Sequence, residues 1–417
     1  MPRPFPRTLP RPRLRSTAAV FTTMAALAAT SLVTGPSVAE PFFSAPCTLE
    51  RTEAHHSEGL DTWNTAYPRP ARALDAVMVF LSFPDAPPLT SPAELTADHF
   101  PATTDFFSRA SYGRFTLRPH PLRHWIRMPR PSTAYAIQRD WSAEDRSAYL
   151  HDALAAADAQ VDFSRYDVVY FVADPDAPGV DSDATKVVNL DVPLRADGTD
   201  IRRVVTVFEK HPPDQLVLAH ETGHVFDLPD LYHRPADGKG DWDTYVGDWD
   251  LMGSQFGLAP DLFAWHKWKL GWLERRQVVC VRGPKPRRLT LEPLEAGPGN
   301  AGIFGLGRGT KLAVVRTGVD SALAFEAREA VGNDAAVCRQ GVLVYRVHSG
   351  AASGSGPVQV IDAHPRTEAC WENSVYPPLA DAPVDSGETF MIPDTKVRVR
   401  VMDRTVSGAW NVEITAG

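Results

Sequence analysis

The stretch that decides the fold is His220-Glu-Thr-Gly-His224-Val-Phe-Asp-Leu-Pro-Asp230-Leu-Tyr-His233. Its first five residues have the pattern His-Glu-x-x-His. Side chains four residues apart lie on one face of an α-helix, so His220 and His224 can direct imidazole nitrogens at one Zn²⁺. Glu221 lies one step around the helix, where it can act on a water at the metal without being a ligand.

The same pattern could also be an ordinary helix with a histidine pair on its polar face. The preceding residues favour the metal site. Pro213 and Asp214 are typical of the first turn of a helix, and the apolar run 216–219 follows them. Such a run suits the buried helix that carries this motif in a metallopeptidase.

A catalytic zinc usually has three protein ligands and one position open to water. Asp230 is the best candidate for the third ligand, because a helix that ends near Phe226 and turns back can bring this carboxylate to the metal. The turn needs a residue that tolerates positive φ, and Asp227 adopts this conformation more readily than most residues. Asp248 and Asp250 are the alternative ligands.

The sequence around this motif resembles the immune inhibitor A family of secreted bacterial zinc metallopeptidases, which is metzincin-like. The resemblance rests on three segments: Leu228-Pro-Asp-Leu-Tyr232, Gly247-Asp-Trp-Asp-Leu-Met-Gly253 and Ala264-Trp-His-Lys-Trp-Lys-Leu-Gly-Trp272. It implies zinc binding by His220, His224 and Asp230, catalysis by Glu221, and a Met-turn at Met252 beneath the zinc. The family has Gly where this chain has Asp227.

The chain of 417 residues suits two domains. Strands and helices alternate over residues 71–276, which predicts an α/β (α+β) domain, and the resemblance makes it a metzincin-like zinc peptidase domain. Residues 277–417 contain short β-rich segments separated by Pro, Gly and Asp, which predicts a β-sandwich-like C-terminal domain. Residues 40–70 are polar and predict an N-terminal arm or propeptide, in which His55 and His56 are expected to be a solvated pair.

Residues 1–39 have the features of a secretory signal peptide. Five arginines precede the apolar core 18–33, and Ser37-Val-Ala39 is a small-residue cleavage site. A membrane anchor is the alternative, but the apolar stretch is short and no later segment has the apolar length to span a bilayer. We therefore expect an extracellular protein, secreted by the general route, with no membrane insertion after signal cleavage.

Four cysteines in a secreted chain predict two disulfides, for which three connectivities are possible. We expect the pairs Cys338–Cys370 and Cys47–Cys280. An alternative hypothesis is that Cys47 caps the zinc as a thiolate in a latent form of the protein.

The segment between His224 and Met252 contains seven Asp but only one Arg and one Lys. Such an excess is unfavourable without a counter-ion, and Asp237, Asp241 and Asp243 could present carboxylates to Ca²⁺. A solvated acidic loop is the alternative. The net charge of −8, without a basic stripe, argues against nucleic acid as a partner.

These patterns predict a monomeric zinc endopeptidase with protein or peptide substrates, in which Glu221 takes a proton from water and delivers it to the leaving amine. Tyr232, His233 or Tyr245 could stabilise the oxyanion. An edge strand at residues 186–194 could pair with an extended peptide. Two alternatives remain: a secreted binding protein that keeps the fold without the activity, and a zinc hydrolase that cleaves a non-peptide bond.

Overall fold

A five-stranded mixed sheet forms the first half of the fold. In this computed structural model the described residues are 47–210, 214–235, 239–297 and 308–417. The strands of the first sheet are β1 (Ala73–Ser82), β2 (Thr116–Arg127), β3 (Val168–Ala173), β4 (Lys186–Ala196) and β5 (Thr199–Val207). Their order is β2-β1-β3-β5-β4, and every pairing is parallel except that of β4 with β5.

The strand β4 lies at one edge of this sheet and is joined to β5 by a tight hairpin. Asp197 and Gly198 form the connection, and both have positive φ, 49° and 73°. Asp-Gly is a preferred sequence for a two-residue hairpin loop, because both positions require this backbone conformation. The edge strand predicted at residues 186–194 is confirmed.

The α-helices of the described residues are α1 (Pro92–His99), α2 (Ala102–Ala110), α3 (Ala143–Ala157), α4 (Val217–Val225) and α5 (Ala264–Lys269). Local sequence explains where two of them begin. Ser91 and Glu94 form a capping box at α1, and the Ser142 hydroxyl accepts the Asp145 N–H at α3. The helix α4 packs against β4 and β5, so it lies beside the sheet edge.

The C-terminal third of the chain is made of β-strands. They are β6 (Val278–Cys280), β7 (Arg287–Leu291), β8 (Leu312–Arg316), β9 (Ser321–Arg328), β10 (Gly341–His348), β11 (Val358–Val360), β12 (Thr389–Met391), β13 (Val397–Arg404) and β14 (Trp410–Ala416). They form two sheets with the orders β11-β10-β9-β8-β6 and β12-β13-β14-β7. Phe325 and Val344 of the first sheet share a buried core with Val399 and Ile414 of the second, which confirms a β-rich, sandwich-like region.

The two halves of the fold also share apolar side chains. One buried cluster contains Met78 of β1, Leu218 of α4, Trp265 of α5 and Tyr345 of β10. The first sheet, α4, α5 and the β-rich region therefore share one continuous buried core. The boundary predicted between residues 276 and 277 stays a prediction.

Both expected disulfides are present, Cys47–Cys280 and Cys338–Cys370. The first joins the N-terminal segment to β6. Because Cys47 is bonded to Cys280, the hypothesis that Cys47 caps the zinc as a free thiolate is wrong.

The described residues contain no helix that is long and apolar enough to cross a membrane. The signal peptide predicted at residues 1–39 lies outside the described residues, as does the start of the segment 40–70.

Candidate metal centre

The helix α4 carries the His-Glu-x-x-His motif and is buried along its whole length. Just before the helix begins, the Asp214 carboxylate accepts the Leu216 N–H at 3.1 Å. On the face away from the histidines, the Thr222 hydroxyl is hydrogen-bonded to the Tyr170 hydroxyl of β3 at 2.9 Å. Burial on both sides explains the apolar run before His220.

Three side chains converge on the side of α4 that carries the two histidines. Asp230 Oδ1 lies 3.0 Å from His224 Nε2 and 3.5 Å from His220 Nε2. The other ring nitrogen of each histidine contacts a backbone carbonyl: His220 Nδ1 donates to Leu251 O at 2.9 Å, and His224 Nδ1 donates to Leu228 O at 2.8 Å. These bonds fix both rings with Nε2 directed at Asp230.

Two imidazole nitrogens and a carboxylate oxygen all carry lone pairs, so their convergence requires a shared cation. Burial disfavours a charged His224, but the Asp230 carboxylate outweighs burial and raises the pKa of His224 to about 9. A proton thus satisfies the cluster when no metal is bound. The two imidazoles and one carboxylate also fit the ligand set of catalytic zinc sites, and together they form a group able to hold a metal ion.

The turn that delivers Asp230 forms as predicted. Asp227 has φ of 66°, in the left-handed region. Its N–H donates to His224 O at 3.1 Å, and the Leu228 N–H donates to Gly223 O at 3.1 Å, which is the usual pattern at a helix C-terminus that ends in this conformation. The chain then reverses and carries Asp230 to the histidines.

The alternative ligands Asp248 and Asp250 have structural roles instead. Asp248 accepts the N–H groups of Leu258 and Val375. Asp250 accepts the N–H groups of Met252, at 2.8 Å, and Phe263, at 2.7 Å. Within the described residues the metal-binding group contains Asp230 and neither of these two alternatives.

Met252 packs against α4 at Gly223, which lies between the two histidines in the sequence. It is fully buried, and its carbonyl accepts the Leu231 N–H at 2.9 Å. A Cβ placed on Gly223, between the histidines, would lie 2.4 Å from Met252 Sδ, so the helix needs glycine here for the methionine to pack against it. The assignment of Met252 to a Met-turn stays a prediction.

Glu221 is anchored to the edge strand. Its Oε2 accepts the Val187 N–H of β4 at 2.6 Å, and this leaves the other carboxylate oxygen available. Burial raises the pKa of Glu221, although the two motif histidines oppose this effect. Glu221 lines the same cleft as the three residues of the metal-binding group, and its role as the proton acceptor stays a prediction.

A cleft with a volume of about 340 Å³ opens over this group. Among the three candidates for oxyanion stabilisation, only Tyr232 lines it. Burial and the Asp230 carboxylate raise the pKa of Tyr232, so its hydroxyl remains a proton donor. His233 and Tyr245 instead pack against each other, with ring centroids 5.0 Å apart.

The prediction that His55 and His56 form a solvated pair is wrong. His55 is exposed and lines the cleft, but His56 is buried, with 3% of its surface exposed. The His56 Nδ1–H group donates to Asp227 Oδ1 at 3.0 Å. The polar composition of the segment did not indicate that His56 pairs with Asp227, a buried residue more than 150 positions away.

The predicted calcium site stays a prediction, since Asp237 lies outside the described residues. Asp241 and Asp243 are described, but neither belongs to a metal-binding group of the described residues. Burial, together with Asp248 and Asp241, raises the pKa of Asp243 to about 6.

Ser353, from the loop after β10, is a site residue that the sequence gave no reason to select. Its hydroxyl donates to Asp230 Oδ2 at 2.9 Å and accepts the Asp230 N–H at 2.8 Å. The Gly354 N–H donates to Asp230 O at 2.9 Å. The β-rich region therefore orients the predicted third ligand directly. A serine in a loop of small residues has no sequence pattern that predicts this contact.

Comparisons with known proteins identify no family. No family model and no curated protein match the chain. Two crystal structures of wild-type OgpA from Akkermansia muciniphila are similar to it at 12% and 9% sequence identity. The first alignment covers 85% of this chain and 96% of OgpA, and the second covers 72% and 94%, with TM-scores of 0.28 and 0.26. This structural similarity is weak and supports no argument about activity.

Proposed function

We propose that the protein is a secreted zinc-dependent endopeptidase. The observation that carries the proposal is the convergence of His220, His224 and Asp230 on one point, with the Glu221 carboxylate anchored beside them. Zinc held by these three residues would polarise the scissile carbonyl and lower the pKa of a bound water. The two disulfides suit a protein that functions in an oxidising, extracellular compartment.

The protein's own residues supply the proton transfers. The Glu221 oxygen that is not bound to Val187 accepts a proton from the attacking water and passes it to the leaving amine. The Tyr232 hydroxyl donates a hydrogen bond to the developing oxyanion. The Val187 N–H already donates to Glu221, so this N–H group holds the base in position and does not bind substrate.

The edge strand β4 favours a peptide as the substrate. Lys186, Val187 and Asn189 line the cleft, so an extended chain can lie along the free edge of β4. Backbone pairing at a sheet edge recognises peptides with little dependence on their side chains. This arrangement favours cleavage of a peptide bond over cleavage of a non-peptide bond.

The alternative of an inactive binding protein depended on Asp227 in place of glycine. Asp227 makes the required turn and Asp230 reaches the histidines, so this departure does not prevent a complete ligand set. No other feature of the described residues favours the alternative.

The direct test of the proposed function is cleavage of denatured casein by purified protein with zinc, with products identified by mass spectrometry. Glu221→Gln should retain zinc and lose about 10² to 10⁴ in kcat, because the proton acceptor is removed. Glu274→Gln, a surface carboxylate paired with Arg114, is the matched control and should retain wild-type activity. Full activity in Glu221→Gln, or no new peptide termini with the wild type, would contradict the proposal.

A further inference from the structure

The carboxylate of Asp227 holds the N-terminal segment against the metal centre. Its side chain is fully buried, and its two oxygens contact two residues of that segment. Arg51 Nη1 lies 2.6 Å from Oδ2, and His56 Nδ1 donates to Oδ1 at 3.0 Å. A glycine at this position would form the same turn without strain, since glycine adopts positive φ freely. The turn alone therefore does not explain an aspartate here.

The same segment is fixed at a second point by Glu58, which is also fully buried. His266 Nε2 contacts Glu58 Oε1 at 2.9 Å, and Trp265 Nε1 donates to Glu58 O at 3.1 Å. Lys269 links the two points, because its Nζ donates to Asp227 O at 2.6 Å and lies 3.9 Å from Glu58 Oε2. Together with the disulfide at its beginning, these contacts attach the segment to α5, to the turn after α4 and to β6.

The segment also forms part of the cleft wall. The ring of His56 stacks on that of His224, with centroids 5.7 Å apart and an interplanar angle of 25°. His55 lines the cleft, and its carbonyl accepts the Ser353 N–H at 3.3 Å. Removing the segment would expose one face of a predicted metal ligand and leave the loop that orients Asp230 without this contact.

We propose that residues 47–58 are a permanent part of the catalytic unit, and that Asp227 is the positioning residue that fastens them beside the metal centre. The proposal rests on the proposed function only in taking this centre as a zinc site. Burying a carboxylate costs several kcal/mol unless it is paired, and here Arg51 and Lys269 supply the opposite charges. A propeptide that included these residues would leave the Asp227 carboxylate without its Arg51 and His56 partners when removed.

The test compares Asp227→Gly with wild type in two measurements: zinc affinity by chelator competition, and cleavage after Glu53 by a glutamyl endopeptidase. Glycine keeps the turn and removes the clamp. We expect a zinc dissociation constant roughly 10- to 100-fold higher, the usual loss when a residue that supports a metal ligand is removed. Cleavage after the exposed Glu53 should be about tenfold faster, because the segment opens more often.

Three arginine variants test the same idea without altering the turn. Arg51→Gln should shift both measurements in the same direction by a smaller factor, because His56 still holds Asp227. Arg51→Lys, which keeps the charge, should restore part of the loss. Arg72→Gln, which removes an exposed arginine paired with Asp167, is the matched control and should leave both unchanged.

Wild-type zinc affinity and cleavage rate in both Asp227→Gly and Arg51→Gln would overturn the proposal. If Asp227→Gly does not fold, Arg51→Gln decides alone. Cleavage after Glu53 does not depend on zinc or on peptidase activity. It therefore tests the clamp even if the wild type binds no zinc, a result that would contradict only the proposed function.

Discussion

The metal centre and the Arg328 cluster are both largely buried and both contain carboxylates, but only the Arg328 cluster contains a permanent cation. The Arg328 cluster consists of Arg328, Glu295, Glu326 and Asp334. The guanidinium lies 2.7 Å from Asp334, 2.9 Å from Glu326 and 3.3 Å from Glu295. At the metal centre, by contrast, His220, His224 and Asp230 direct three ligand atoms at one another, and only a proton on His224 supplies positive charge when no metal is bound.

The difference separates a structural site from a functional one. The carboxylates around Arg328 have their counter-ion within the folded chain, and the cluster holds the β-rich region against the loop at residues 259–261, whose carbonyls also accept from Arg328. Ligand atoms that converge without a permanent cation need a proton or a metal ion from solution. We therefore expect mutations in the Arg328 cluster to destabilise the fold, and mutations in the metal centre to abolish activity without unfolding the protein.

The largest expected effect is on turnover in His224→Ala. Losing one of three ligands should remove the metal, and with it at least about 10⁴ in kcat/KM. The free energy of unfolding of the metal-free protein should not fall by more than about 2 kcal/mol, because the Asp230 carboxylate is partly exposed and keeps its contacts with His220 and Ser353. Casein cleavage and urea unfolding measure the two quantities. If this variant does not fold, the distinction between a functional metal centre and a structural Arg328 cluster is contradicted.

The next largest effect is on stability in Arg328→Met. Methionine fills much of the same volume but leaves three buried carboxylates without their cation, which should lower the free energy of unfolding by about 3 to 5 kcal/mol. Urea unfolding measures the loss. Arg195→Met removes a mostly exposed arginine paired with Asp200 and should cost less than about 1 kcal/mol. Equal stability of the two variants would contradict the role assigned to the Arg328 cluster.

Acid should lower the free energy of unfolding, because buried histidines stay neutral in the folded chain at a pH where the unfolded chain protonates them. Burial lowers the pKa of His99 from 6.5 to about 4, although Asp98 opposes the shift. Between these values the unfolded chain takes up a proton that the folded chain does not, so stability is complete above pH 6.5 and falls as the pH drops to 4. This group alone contributes up to about 3 kcal/mol.

His99→Gln should reduce this pH dependence of the free energy of unfolding, measured in urea between pH 7 and pH 4. The control is His151→Gln, which changes an exposed histidine of α3 and should leave the slope unchanged. An unaltered slope in His99→Gln would show that His99 is not the group that titrates.

The smallest expected effect is in Ser353→Ala. The variant removes one hydrogen bond to Asp230 Oδ2 and leaves the ligand set intact, so zinc affinity should fall about 10-fold and at most 100-fold. Chelator competition measures it, and the exposed neighbour Ser355 provides the control Ser355→Ala. Unchanged zinc affinity would show that the β-rich region does not orient the ligand.

Local patterns in the sequence were enough to predict much of the metal centre. The spacing of His220 and His224 follows from the period of one helix, and the positive φ of Asp227 follows from which residues tolerate it. The edge strand β4 and the disulfide pairs were also predicted correctly. Each of these depends on short segments or on a small number of possible pairings.

Contacts between distant segments could not be predicted in this way. Arg51 and His56 pair with a carboxylate more than 150 residues away, and Ser353 reaches Asp230 across 123 residues. Nothing in the composition of a polar segment indicates that it folds against a buried carboxylate. The sequence also could not show the roles of Asp248 and Asp250, which it offered as alternative ligands. Only the fold shows that their oxygens accept backbone N–H groups.

The metal centre is expected to bind a catalytic metal ion through His220, His224 and Asp230, and the zinc content of the purified protein tests this claim most directly. After incubation with zinc and dialysis, elemental analysis should find about one zinc per chain in wild type and in Glu221→Gln. His220→Ala and Asp230→Ala should retain less than about a tenth of that amount. A wild-type protein without zinc, or the same zinc content in His220→Ala, would contradict the account.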